Sequence, residues 1–237
     1  MRLTYIYHSG FAIEADEFAI LIDYYKDTGR SPEKGFVHEK LLNRAGTLYI
    51  LSSHFHPDHF NPEVLRWKTY KKDIVYLFGK DILKRNRAGK EDAIYLKKED
   101  SYEDHNLWIK AFGSTDSGIS FLIEAEGRRI LYSGDIRRHG VKGFLYHNLP
   151  RKVDCLLLEG TNLATEKECM SEAEICERFK EQFRTDADKL HYIWCSGQNI
   201  DRIVQIYKAA LVCSRKLIVD TYVAYVLEAV HRFKSSI

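Results

Sequence analysis

Hydrophobic and polar residues alternate in short runs through the first part of the chain. Leu3–Tyr7, Phe11–Glu14 and Ala19–Asp23 predict an opening meander of strands, with Gly10 and the Glu14-Ala-Asp-Glu17 cluster as turns. Thr47–Ser52 is a compact apolar strand that runs directly into a histidine-rich segment. Asn61–Tyr70 predicts a helix, with Pro62 near its first turn, where the missing N–H costs little. Ile74–Phe78, Ala93–Leu96, Leu107–Phe112, Ile119–Glu124 and Arg129–Ser133 continue the strand series, and Glu126-Gly127 turns the chain between the last two.

After Asp154 the pattern changes. Cys155–Leu158 is a continuous apolar run, the signature of a strand buried on both faces. Beyond it, helical periodicity over Ser171–Gln182, Ile200–Val212 and Val223–Phe233 alternates with strand-like Tyr192–Cys195 and Lys216–Val219. That alternation predicts βαβ units and a parallel sheet. The chain is therefore expected to be α/β, with one domain over 1–160 and a second, partial α/β module over 161–237.

Composition narrows the class. Of the 237 residues 45% are hydrophobic and 30% charged, enough apolar material for a sizeable core and too much for a disordered chain. Lys+Arg number 36 against 34 Asp+Glu, so there is no whole-chain electrostatic signature of nucleic-acid binding. Arg137, Arg138, Lys142, Arg151 and Lys152 nonetheless cluster locally and are candidates for phosphate contacts, against the plainer alternative of a solvated basic face. Five cysteines, none in a Cys-x-x-Cys pair, suit a reduced chain. The first residues contain no signal-peptide apolar core, and no apolar run approaches the ~18 residues of a spanning helix. A cytoplasmic protein without a membrane partner is expected.

Ser53-His54-Phe55-His56-Pro57-Asp58-His59 carries the chemistry. Two histidines spaced by two just past a strand can project to one side, and the turn at Pro57 adds a carboxylate and a third imidazole as the next helix opens. Nitrogen and oxygen donors without thiolate suit Zn²⁺, Mn²⁺ or Fe. The His-x-His-x-Asp-His pattern resembles the signature of the metallo-β-lactamase superfamily. The resemblance implies an αββα sandwich holding one or two ions at the edge of its two sheets. His54, His56, Asp58, His59 and Asp135 would be ligands, with Asp58 and Asp135 also catalytic. His54 and His56 would hold the first ion and Asp58 and His59 the second, with Asp135 bridging. Asp23, closing Ile20-Leu21-Ile22-Asp23, resembles the acid that supports the histidine loop from behind.

The later text Tyr132-Ser133-Gly134-Asp135-Ile136-Arg137-Arg138-His139-Gly140, Leu157-Leu158-Glu159-Gly160-Thr161-Asn162 and Ser196-Gly197-Gln198-Asn199 resembles the β-CASP branch of RNase J-like nucleases. There Glu159 would hydrogen-bond a ligating histidine. Two departures stand out. The superfamily's further histidine before Gly-Asp is replaced by Phe112-Gly113-Ser114-Thr115-Asp116-Ser117-Gly118, where Asp116 is the one extra oxygen candidate. The branch's last histidine ligand would lie beyond Ile237, so the chain resembles a truncated member with five ligands where a full site has seven. His8, His105, His191 and His231 are left outside the ligand set, and Tyr24-Tyr25-Lys26 could line the site mouth.

Three functions follow. The first is a hydrolase using a metal-activated water on phosphodiesters, RNA or single-stranded DNA. The second is a hydrolase of a small ester, lactone or amide on the same fold. The third is a non-catalytic relative that binds metal or a partner. An unfinished sheet edge in the second module would favour a homo-oligomer.

Overall fold

The computed structural model describes residues 1–30, 33–114, 118–137, 140–158, 160 and 169–233. By internal contacts the chain divides into two units, Met1–Arg137 with Phe144–Ala164, and Arg138–Gly143 with Thr165–Ile237.

The first unit is a pair of sheets. Strands β1 (Arg2–Tyr5), β2 (Phe11–Glu14), β3 (Phe18–Ile22), β4 (Thr47–Ser52), β5 (Ile74–Gly79) and β6 (Ile94–Leu96) lie side by side in that order. The first three are antiparallel, and β3 to β6 run parallel. The second sheet has the order β11-β10-β9-β8-β7, from β7 (Ser101–Glu103), β8 (Trp108–Gly113), β9 (Ile119–Ala125), β10 (Arg128–Tyr132) and β11 (Cys155–Leu157). Only its β10–β11 pairing is parallel.

The strand period of two sorts the side chains of the first sheet into two cores. Ile20, Ile22, Leu51 and Leu77 face inward and interlock with Ile109, Phe121, Ile123 and Ile130 of the second sheet. Leu21, Leu48 and Ile50 face outward, beneath Phe36, Val37, Trp67 and Ile82. Those four come from a π-helical turn over Phe36–Leu41, a 3₁₀ helix over Pro62–Thr69 and the short α1 (Lys80–Lys84). Buried on both faces, β3 and β4 read as unbroken apolar runs, and each such side chain contributes roughly 1.5–3 kcal/mol of burial.

The sequence pattern errs in identifiable places. The helix after the histidine segment starts at Pro62, capped by Asn61, whose Oδ1 accepts from the Glu63 N–H at 2.9 Å, and it is 3₁₀. Asp58 and His59 therefore sit in the preceding loop and do not open the helix. Cys155–Leu157 is an edge strand, with Leu157 in the core and Leu156 exposed, not a strand covered on both faces.

In the second unit three helices form close to where periodicity places them: α2 (Glu172–Thr185), α3 (Ile200–Val212) and α4 (Thr221–Phe233). A capping box starts α2, in which Ser171 Oγ accepts from the Glu174 N–H while the Glu174 carboxylate takes the Ser171 N–H at 2.6 Å. Cys176 and Phe183 of α2 meet Ala209 and Ala210 of α3, with Ile193 and Leu217 packed against them. Tyr192–Cys195 and Lys216–Val219 are not strands. Their alternation is present, since Ile193 and Leu217 pack on the helices while Tyr192, Trp194 and Ile218 stay exposed. No described strand pairs with either segment, so no ladder forms.

Candidate metal centre

The site lies in the first unit, at the ends of three strands. Strand β4 delivers the loop 53–59, β3 ends in Asp23, and β10 ends before Gly134-Asp135. Gly134 has φ +57°, a left-handed turn that swings Asp135 toward the histidines and favours glycine there. Gly79, where β5 ends, passes so close that an added Cβ would lie 2.5 Å from the Ser53 carbonyl oxygen. Only glycine lets β5 support the loop at that distance.

All five predicted ligands converge. His54 Nε2 lies 2.8 Å from His56 Nδ1 and 3.5 Å from Asp135 Oδ2. His59 Nε2 lies 3.1 Å from Asp135 Oδ1 and 3.5 Å from Asp58 Oδ2. Asp135 thus reaches one histidine group with each oxygen, and Asp58 joins at the His59 side.

Asp23 organises the rear of the site. Fully buried, its Oδ1 accepts the Ser53 N–H, and its Oδ2 lies 2.6 Å from each of Ser53 Oγ, Tyr132 Oη and His59 Nδ1. Because the Ser53 hydroxyl spends its proton on Asp23, it can only accept from His54 Nδ1, 3.0 Å away. Both rings are therefore held by Nδ1, and both present Nε2 to the centre. Asp23 also lies near His54 and His59 in a cluster of ligand type, but its oxygens are already engaged and meet His59 at the far nitrogen. Its contacts thus brace Ser53 and the Nδ1 of His59 from behind.

The charges are consistent with a cation site. Burial, then the neighbouring His59 charge, hold the His54 imidazole below its ordinary value. Burial also acts against His59⁺, but hydrogen bonds to Asp135 and Asp23 outweigh it and push its pKa up to about 10. Burial works against ionised Asp135 as well, yet the hydrogen bond from His59 holds its carboxyl below the usual range. For Zn²⁺ at about 2.0–2.1 Å from each donor, tetrahedral ligands stand roughly 3.3 Å apart. The 2.8–3.5 Å separations between donor atoms bracket that value, so these residues fit a metal ion. Nitrogen with carboxylate oxygen admits Zn²⁺, Mn²⁺ or Fe.

A cavity of about 620 Å³ opens over the centre. Asp58, His59, Gly134 and Asp135 form one side, and Tyr5, His8, Phe11, Tyr132 and Leu158 line much of the rest. Among the described residues no lysine or arginine lines it.

Other sequence expectations fall elsewhere. Glu159, Asp116 and Arg138 lie outside the described residues. His105 is exposed. Arg137, Arg151 and Lys152 belong to the first unit and Lys142 to the second. Tyr24 is core, edge-on to Trp67 at 4.9 Å, and does not line the mouth; Tyr25 stacks on Tyr7 at 5.9 Å and meets the His8 ring at 6.0 Å. Sequence reasoning missed Tyr132, which reads as one more apolar strand residue. His8, left outside the ligand set, lines the cavity from a turn just before Gly10.

The sequence matches the family model described as a beta-lactamase superfamily domain over residues 2–158. No curated protein matches it. Among solved structures, a protein of unknown function from Enterococcus faecalis is similar with a TM-score of 0.56 and 13% identity, over 93% of this chain and 64% of that one. The chain thus spans somewhat under two thirds of that protein's length. A candidate metal-dependent hydrolase from Parabacteroides distasonis gives 0.49 and 16%, over 75% and 76% of the two chains. CmlA, a diiron β-hydroxylase from Streptomyces venezuelae, gives 0.49 and 20%, over 65% and 33%. At these identities the Enterococcus faecalis likeness is one of fold alone.

Proposed function

Since the chain belongs to the beta-lactamase superfamily, we propose that it is a metal-dependent hydrolase acting on a small ester, lactone or amide. One observation carries this reading: ligand-type nitrogens and oxygens meet at the floor of a cavity of about 620 Å³ whose described wall is partly apolar, from Tyr5, Phe11 and Leu158. That volume lies in the range of small-molecule sites. His54, His56 and Asp135 would hold one ion, and His59 and Asp58 the other side of the centre. A bound divalent ion supplies a water activated for attack at neutral pH and polarises the oxygen of the scissile group.

The chain's own residues do the rest. Asp58, with its carboxylate partly open to the cavity, is placed to take a proton from the attacking water. Asp23 and Ser53 hold the two Nε2 donors forward. Tyr5 and Phe11 give the cavity an apolar side that orients an acyl group and excludes bulk water.

A second reading, hydrolysis of RNA or single-stranded DNA, rests on exposed Arg151 and Lys152 in the same unit, with Arg137 just after Asp135. The test is metal content of protein purified without chelator, followed by hydrolysis assays on lactone, ester and oligonucleotide substrates. His54→Ala and Asp135→Ala should lose bound metal together with any hydrolysis. Turnover of oligonucleotides alone, with a steep salt dependence, would replace the first reading by the second. Wild-type protein without metal would remove both.

A further inference from the structure

His59 and Asp58 face one side of the centre, the side away from His54 and His56. Another imidazole stands there. His8 Nδ1 lies 3.7 Å from Asp58 Oδ2 and 3.1 Å from Ser9 Oγ, and Ser9 Oγ lies 3.3 Å from His59 Nε2. Since His59 Nε2 is 3.5 Å from Asp58 Oδ2, the four atoms close a ring with edges of 3.1–3.7 Å. Asp58 Oδ2 thus stands within 3.7 Å of a nitrogen of each imidazole, close to the roughly 3.3 Å between donors of one tetrahedral ion.

The turn that carries His8 is built to hold it. Its backbone is left-handed at φ +55°, an uncommon conformation for a non-glycine residue. The Gly10 N–H donates to the Tyr7 carbonyl and the Ile6 N–H to the Gly10 carbonyl, both at 2.9 Å. A Cβ at Gly10 would lie 3.0 Å from the Tyr7 oxygen and 3.3 Å from that of Asp23, so the turn sits tightly on the end of β3. The Tyr132 hydroxyl lies 3.2 Å from the Ser9 carbonyl oxygen and 2.6 Å from Asp23. The turn, Asp23 and His59 are thereby tied to one side chain.

We propose that His8 is a ligand of the second metal ion, completing with Asp58 and His59 the side of the centre opposite His54 and His56. The assignment rests on the metallohydrolase reading above. An ordinary surface ion pair with Asp58 is the alternative, and metal stoichiometry separates the two.

The experiment is calorimetric titration of Zn²⁺ into metal-stripped full-length protein, with Co²⁺ absorption as a second readout. The variants are His8→Asn, which tolerates the left-handed backbone, and His54→Ala. Wild type should bind about two ions per chain. His8→Asn should keep the first at unchanged affinity and bind the second more weakly by more than the ~10–100-fold typical of losing an outer-shell partner. It should also lose the Co²⁺ band of the second site. Two ions at wild-type affinity in His8→Asn would overturn the assignment. So would a wild type holding one ion that is lost in His54→Ala and untouched in His8→Asn, an outcome that leaves the metallohydrolase reading standing. A wild type that binds no ion would overturn both.

Discussion

The two units of this chain carry similar apolar patterns with different outcomes. In the first, β3 and β4 are covered on both faces, and Ile20, Ile22, Leu48, Ile50 and Leu51 are all fully buried or nearly so. In the second, one side of the extended segments packs on two helices while Trp194, Tyr192 and Ile218 stand in solvent. Hydrogen bonding explains the difference. Each strand of the first unit has a ladder partner that fixes its register, whereas no described strand pairs with 192–195 or 216–219. A periodic sequence selects which side chains turn inward; only a paired backbone converts that choice into a two-sided core.

Substitutions can probe this contrast. The largest effect is expected from Phe121→Ala, which empties the centre of the inter-sheet core beside Tyr132 and should destabilise the first unit by about 3–5 kcal/mol. Denaturant unfolding followed by metal release would report it. In the second unit, buried Glu172 meets Arg202 through two contacts of 2.9 and 3.1 Å. Glu172→Ala should cost about 1–3 kcal/mol, less than a fully buried pair because Arg202 can turn to water. That loss should appear as faster amide exchange in α2 and α3 while metal affinity holds. A parallel loss of metal would mean the two units are energetically coupled.

The smallest effect concerns the first unit's outer core. Burial disfavours charged His38, but the Asp27 and Glu63 carboxylates outweigh it and raise its pKa. Burial likewise disfavours ionised Asp27, whose carboxyl is nonetheless held low by the Val37 and His38 N–H groups. The His38 contribution is therefore complete below about pH 6.5 and fades as pH rises through its raised folded value. That of Asp27 is present above about pH 4 and fades as pH falls through its lowered one. Each should be under about 1 kcal/mol, because the cluster is partly exposed. Stability in His38→Gln that keeps the wild-type slope above pH 6.5 would place the titration elsewhere.

Much of the first unit was legible in the sequence. Most of its strands fall within one or two residues of the alternating runs, because one or both faces of each meet a core. β7 escaped because Ser101-Tyr102-Glu103 offers a single partly buried side chain. The metal loop was legible because its donors are contiguous and chemically unusual. Tyr132 was not, since its hydroxyl acts across the gap between two sheets, and local pattern does not report which residue stands opposite. His8 likewise lies fifty residues from Asp58, the carboxylate it meets at 3.7 Å.

The hydrogen bond between Tyr132 and Asp23 has a mechanical consequence. Asp23 ends a strand of one sheet and Tyr132 a strand of the other, so the bond is a rivet between layers as well as a brace for His59. Sliding of one sheet over the other and loading of the centre then become linked equilibria. An ion that binds only the aligned layers stiffens the sandwich in proportion to the logarithm of its concentration over its dissociation constant. A covalent staple that stopped the sheets from sliding would, by the same reciprocity, tighten the hold on the ion from a distance.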